Sequence, residues 1–256
     1  MKAIIVGATS GIGRAVAEQL TAAGWQVGIA GRRIGVLQEM QSRNINIIAT
    51  QEIDVTNDNA VDGLNSLIGK MGGQIDLYFH SSGIGYQNIE LDAEKELSTI
   101  MTNALGMTRM VIAMFDFYVK HPEQKGQIAV ISSIAGTKGL GAAPAYSSTK
   151  RYTRHYLECL SQLIHIRGIK NITITDIRPG FVRTPLLKGD NYPIQLDVND
   201  AARDILKGVL AKKSVVTVDW KYRILVFFWS LLPRWIWVRI APQPPKGAAI
   251  RAKRNE

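Results

Sequence analysis

Short β-branched runs alternate along this chain with stretches of helical periodicity. That alternation confines it to α/β architecture, with a parallel sheet covered by helices on both faces. The runs are Lys2–Val6, Trp25–Ala30, Asn46–Thr50, Ile75–His80, Gln127–Ser132, Asn171–Ile177 and Ser214–Val218. Amphipathic stretches separate them at Gly13–Ala23, Ile34–Ser42, Asp58–Gly69, Glu94–Tyr118 and Ser147–Ile166. Parallel neighbours need a crossover, which a helix supplies, and each crossover is expected to be right-handed. At 256 residues the chain fits one domain with a substantial core. A lone cysteine, Cys159, excludes an intrachain disulfide. The four histidines show no ligand spacing, so no metal site is expected.

The net charge of +10 is unevenly spread. The last 45 residues hold ten Lys and Arg against Asp219 and Glu256, and four of the five Trp. The rest is nearly neutral, which excludes a uniformly basic, nucleic-acid-binding surface. We therefore divide the chain into a body, 1–218, and a basic, Trp-rich extension, 219–256. The first apolar run, Ala3 to Val6, is too short for a secretory leader, so a cytoplasmic protein is expected.

Gly7-Ala8-Thr9-Ser10-Gly11-Ile12-Gly13 lies between the first strand and the first helix. Glycines there permit a tight turn and close approach of a pyrophosphate, and the helix N-terminus offers free N–H groups and a partial positive charge. Farther along, Tyr146 and Lys150 stand four residues apart, on one face of a helix. A free phenol titrates near ~10, too high for acid–base work at neutral pH, and a nearby ammonium would lower that value. Ser133 closes the fifth strand thirteen residues before Tyr146. Asn103 opens an Asn-Ala-Leu-Gly segment, and Pro179-Gly180-Phe181-Val182-Arg183-Thr184 follows the sixth strand.

Together these ordered motifs resemble the short-chain dehydrogenase/reductase family over residues 2 to about 218. Val6 departs from the family's Thr before the glycines, and His80-Ser81-Ser82-Gly83 replaces its Asn-Asn-Ala-Gly. The resemblance implies one Rossmann-type domain with seven parallel strands in the order 3-2-1-4-5-6-7. It also implies nicotinamide dinucleotide binding by Gly7, Thr9, Ser10, Gly11, Ile12, Gly13, Asp54, Val55, Ser81, Ser82, Gly83, Pro179, Gly180, Val182 and Thr184, with Tyr146 and Lys150 reaching the cofactor as well. Asp54 could equally be an ordinary helix cap. At the tip of the second strand Gly31 stands where a carboxylate would select NAD, and Arg32 and Arg33 follow. A guanidinium there, with Arg14 as a second donor, can clamp a 2′-phosphate, so NADP(H) is expected in preference to NAD(H). In the family's chemistry Tyr146 is the acid, Ser133 orients the carbonyl, Lys150 holds the ribose and lowers the Tyr146 pKa, and Asn103 holds a water beside Lys150. His80 is expected to be structural and hydrogen-bonded.

Leu186, Leu187, Tyr192, Pro193, Ile194 and Leu196 make the segment from Pro185 to Asp197 apolar. In relatives this stretch forms a lid, with residues 84–96 as the opposite wall. An apolar lid fits an apolar carbonyl substrate, a keto-lipid, 3-ketosphinganine-like or sterol-like. A 3-oxoacyl thioester reductase and a non-catalytic cofactor-binding regulator remain the alternatives. Relatives assemble as homodimers or homotetramers through the helices of Asn103 and Tyr146. In the extension, Ile224–Trp229 and Trp235–Ile240 are apolar runs bracketed by Arg and Lys and broken by Pro233. Lys246, Arg251, Lys253 and Arg254 follow. The pattern reads as a peripheral membrane contact or as a segment packed on the body or a partner subunit.

Overall fold

A computed structural model describes residues 1–187 and 194–240. Seven parallel strands form one sheet: β1 (Lys2–Val6), β2 (Gln26–Gly31), β3 (Ile47–Glu52), β4 (Leu77–His80), β5 (Gly126–Ile131), β6 (Ile172–Arg178) and β7 (Val215–Thr217). Their order is β3-β2-β1-β4-β5-β6-β7, as the resemblance implied. In β1, Ala3 and Ile5 enter one apolar core while Ile4 and Val6 enter the other. This alternation is the strand's period of two applied to a sheet buried on both faces. Helices α1 (Gly11–Ala22) and α2 (Ile34–Ser42) cover the first face, joined by α7 (Val198–Leu210). Helices α3 (Ala60–Lys70), α5 (Met107–Lys120) and α6 (Pro144–Ile166) cover the second.

The structure differs from the sequence pattern in two helices. The stretch Glu94–Tyr118 is not one continuous α-helix: α4 (Ala93–Ile100) runs into a π turn, Met101–Gly106, before α5 begins. A Cβ on Gly106 would fall 2.8 Å from the Val55 carbonyl oxygen, so only glycine lets this turn lie against that backbone. Such wide turns often mark functional positions, and this one carries the buried Asn103. The second difference is α7, absent from the expected helices. Its buried Ala201, Ala202, Ile205 and Val209 recur at helical spacing. The Asp197 carboxylate caps it by accepting from the Asn199 N–H at 2.8 Å.

The extension begins with a sharp turn. Asp219 adopts φ +68°, a left-handed conformation unusual for a residue with a side chain, and its carboxylate accepts from the Lys221 N–H at 2.8 Å. Helix α8 (Trp220–Leu231) follows, and Tyr222 in its first turn is fully buried. The Tyr222 hydroxyl donates to the Ile194 carbonyl at 2.7 Å and accepts from the Phe181 N–H at 3.1 Å. Gly180 makes room for the ring, because a Cβ there would lie 2.2 Å from it. Helix α9 (Arg234–Trp237), after Pro233, turns back onto the body. There the Trp237 indole donates to the Gly139 carbonyl at 2.7 Å, and Lys138 donates to the Leu232 carbonyl. No helix among the described residues is long and apolar enough to cross a membrane. Lys246, Arg251, Lys253 and Arg254 lie outside the described residues, as do Tyr192 and Pro193. Tyr222→Ala is expected to lower the free energy of unfolding by about 3–5 kcal/mol, the range for emptying a buried aromatic site, measurable by urea denaturation.

Candidate active site

The glycine-rich turn sits where the carboxyl ends of β1, β2 and β4 meet. Gly7 has φ +89°, and a Cβ on it would lie 2.6 Å from the Ser82 backbone nitrogen. A Cβ on Gly13 would lie 2.3 Å from the Gly7 carbonyl oxygen, and Gly11 faces the Thr184 methyl group. The Ser10 side chain makes no capping bond to α1, so the first N–H groups of that helix stay available to an anion. Ile12 packs on the apolar core beneath the turn. Ser81 is tied to β1 by its N–H, which donates to the Val6 carbonyl at 2.8 Å. The turn, the Ser81-Ser82-Gly83 segment and Thr184 thus form one cradle of backbone, shaped for a phosphate-bearing dinucleotide.

The arginines beside the cradle divide the work unequally. Arg33, not Arg32, grips the turn: its Nε and Nη2 donate to the Thr9 hydroxyl at 3.2 and 2.7 Å. Arg32 is exposed at the end of β2. The Nε of Arg14 donates to Glu18 at 2.8 Å. Asp54 shapes the turn after β3, where one carboxylate oxygen accepts from the Thr56 N–H at 3.0 Å and its hydroxyl at 2.7 Å. The helix cap position belongs to Asn59 instead, and Val55 is buried against Gly106.

Ser133, Tyr146, Lys150 and Asn103 come together beyond this cradle. The Ser133 hydroxyl accepts from the Ala135 N–H at 3.1 Å and lies close enough to the Tyr146 phenol to act on its pKa. The Lys150 ammonium donates to the Ile131 carbonyl at 2.9 Å and lies 5.7 Å from the centre of the Tyr146 ring. Burial lowers the Lys150 pKa to about 8, opposed by the Asp176 carboxylate. Burial also raises the Tyr146 pKa, with Ser133 opposing. The phenol is therefore protonated at neutral pH, as a free phenol also is. Asn103 is fixed by the backbone of Ile84: its amide donates to that carbonyl at 2.7 Å and its oxygen accepts from that N–H at 2.9 Å. The same amide reaches the Thr149 hydroxyl at 3.2 Å. Gly83 lies between Asn103 and Lys150.

Four supporting residues carry no signal in the motifs. Glu96 accepts from the Ala145 N–H at 2.9 Å and from the Asn88 amide at 2.8 Å, tying α4 to the start of α6 and to the wall at 84–96. Ser147 donates to the Ala135 and Lys138 carbonyls at 2.9 and 3.0 Å, so it holds the loop that joins Ser133 to Tyr146. Gly85 lies against the Tyr146 ring, where a Cβ would approach to 2.6 Å. Asp176, hydrogen-bonded by Ser132, supplies the negative charge nearest the buried Lys150. Glu96, Ser147 and Asp176 lie on α4, α6 and β6 and Gly85 in the loop after β4, so only the fold brings these four together.

His80 is structural, as expected. Its Nδ1 pairs with the Tyr78 hydroxyl at 2.8 Å, and burial followed by the Lys150 charge lowers its pKa to about 3, so it is neutral. Pro179 accepts from the Ile134 N–H at 3.0 Å, which sets the loop after β6 across the end of β5. Val182 bridges to Leu196, so the segment after 193 returns to that loop. Leu186 and Ile194 are exposed on it.

The sequence model of the short chain dehydrogenase family matches residues 1–194. An uncharacterized oxidoreductase of Myxococcus xanthus is 30% identical over 240 residues, covering 90% of this chain and 92% of that one. Dehydrogenase/reductase SDR family member 7B of Bos taurus is 26% identical over 255 residues, covering 90% and 77%. Among solved structures, a short chain dehydrogenase from Burkholderia cenocepacia in complex with NADP superposes with a TM-score of 0.78 at 18% identity, covering 95% of this chain and 98% of that one. One from Burkholderia phymatum in complex with NAD gives 0.77 at 19%, covering 95% and 96%. The chain belongs to the short chain dehydrogenase family of oxidoreductases.

Proposed function

We propose that the protein is an NADP(H)-dependent reductase that interconverts a carbonyl and a secondary alcohol of an apolar substrate. The observation that carries this reading is the convergence of Ser133, Tyr146 and Lys150 beside a backbone cradle that only glycines permit. The cradle of Gly7, Gly11, Gly13 and the α1 N-terminus fits a pyrophosphate, and Thr184, Pro179 and Val182 border the place for the nicotinamide. Bound there, NADPH supplies the hydride. The chain's own residues then manage the oxygen. Ser133 donates a hydrogen bond to the carbonyl and positions it. The Tyr146 phenol, protonated at neutral pH with its pKa raised further by burial, delivers the proton to the forming alkoxide. Lys150 holds the ribose hydroxyls and, charged below about pH 8, favours the tyrosinate left behind. Asn103 braces the wall over this group through Ile84. Apolar substrate is supported by exposed Tyr86, Ile89 and Leu91 on one wall and Leu186 and Ile194 on the other. A keto-lipid satisfies these surfaces, as does a sterol-like ketone.

Arg32 and Arg33 at the end of β2, with Gly31 rather than a carboxylate at the tip, favour NADP(H) over NAD(H). The NADP complex of the Burkholderia cenocepacia relative is consistent with this choice, although the Burkholderia phymatum relative binds NAD. Exposed Leu105 and Ile112 beside Asn103, and Tyr152 on α6, support a homodimer or homotetramer formed through these helices.

Three outcomes test these readings. Tyr146→Phe should abolish NADPH-dependent ketone reduction while leaving NADPH binding, followed by fluorescence titration, within about twofold. Turnover surviving in that variant removes the acid role. Arg32→Ala should raise the KM for NADPH by about tenfold or more, the loss of one charged hydrogen bond of ~1.5–3 kcal/mol, and leave the KM for NADH nearly unchanged; equal losses for both cofactors overturn the preference. Light scattering of the purified protein should give two or four times the monomer mass, and Ile112→Asp should halve it.

A further inference from the structure

Outside the active site, a cavity of about 590 Å³ opens between α6, the loop after β5, the ends of β6 and β7, and α8. Five cations line it: Lys138, Arg151, Arg154, Arg178 and Arg223. No carboxylate lines it, and hydroxyls of Thr137 and Ser230 complete its polar rim. Arg178 is paired with Asp176 at 2.6 Å. Among the described residues, no ion pair joins Lys138, Arg151, Arg154 or Arg223 to a carboxylate within 4.0 Å. Arg154 donates one Nη1 bond to Thr137 at 2.9 Å, while its buried Nε has no partner. Burial, then the neighbouring Arg178 charge, lowers the Arg154 pKa to about 10; Asp176 and Glu158 oppose, and Arg151 adds to the lowering. Four cations with no carboxylate of their own, beside a fifth paired with Asp176, and an unused buried donor on Arg154 form a site suited to an anion. Planar guanidinium groups fit the oxygens of a phosphate.

Helix α8 indicates which phosphate. Arg223, Val226, Phe227 and Ser230 of α8 line the cavity at i, i+3, i+4 and i+7. The adjacent strip of the same helix, Trp220, Ile224, Phe228 and Leu231, is apolar and about half or more exposed. Beyond it, α9 exposes Trp235 with Arg239 over its ring at 6.0 Å. A soluble phosphate would use the cations and leave this strip in water. A phospholipid uses both, with its headgroup phosphate in the cavity and the apolar strip in the acyl boundary. We propose that this cavity binds the phosphate of an acidic phospholipid headgroup and so seats the extension on an anionic membrane surface. The site is separate from Tyr146 and Lys150, and the proposal does not rest on the reductase reading.

The test is co-sedimentation of the full-length protein with vesicles of phosphatidylcholine alone or with phosphatidic acid added, alongside thermal shift in inorganic phosphate. The protein should pellet only with the acidic vesicles. The double variant Arg151→Glu/Arg223→Glu should lose this partition by about tenfold or more, given ~1 kcal/mol per basic residue at a charged surface. Ile224→Asp/Leu231→Asp should lose it as well. Both variants should keep the thermal unfolding midpoint of the parent, and NADPH binding should be unchanged. Undiminished vesicle binding by the arginine variant overturns the site. A parent protein stabilised by inorganic phosphate through these arginines but left in the supernatant by acidic vesicles overturns the lipid, and assigns the cavity to a soluble phosphate.

Discussion

Backbone packed directly on backbone, at the carboxyl ends of β1 and β4, is the constraint on which the rest of the structure depends. A Cβ at Gly7 or Gly13 would drive a carbon to within 2.6 or 2.3 Å of the neighbouring main chain. Without side chains there, α1 starts directly over the sheet and leaves its first N–H groups facing open space. The Ser81-Ser82-Gly83 segment then closes against the turn, and Gly83 lies beside Asn103 and Lys150. The cofactor cradle and the acid–base group are thus two sides of one tightly packed corner.

That corner also sets the electrostatics. Burial works against the Lys150 ammonium, which is kept by the Ile131 carbonyl and the more distant Asp176 carboxylate. The same burial raises the Tyr146 pKa, and Ser133 acts in the opposite direction. Neutral His80 beneath them adds no further charge. A protonated phenol thus lies beside a lysine whose pKa burial lowers to about 8.

The extension is bound to this arrangement rather than trailing from it. Tyr222 hydrogen-bonds the Phe181 N–H and the Ile194 carbonyl, so α8 fixes the loop that carries Pro179 and Gly180. Trp237 and Lys138 join the extension to the loop between Ser133 and Tyr146. Its outward face remains apolar, and its inner face helps to enclose the cationic cavity. One short segment therefore touches the loop after β6 and the loop after β5 while presenting an apolar surface.

The strands, the glycine-rich turn and the pairing of Tyr146 with Lys150 were legible in the sequence through short-range regularities: alternation in strands, four-residue spacing on a helix, and glycines at a tight turn. The strand order and the parts given to Ser133 and Asn103 came with the family resemblance of the ordered motifs. The breaking of Glu94–Tyr118 by a π turn was not legible, because it depends on Val55 pressing on Gly106 from fifty-one residues away. Nor was the bond by which Arg33, rather than its neighbour Arg32, holds the Thr9 hydroxyl. The sequence by itself determined the strands, the glycine-rich turn and the helix that pairs Tyr146 with Lys150, since each is written in local spacing. Only the tertiary structure decided that burial raises the Tyr146 pKa, that Tyr222 is core, and that Arg151, Arg154, Arg178 and Arg223 share a cavity. Burial and charge crowding arise from residues distant along the chain, and they exist only once it has folded.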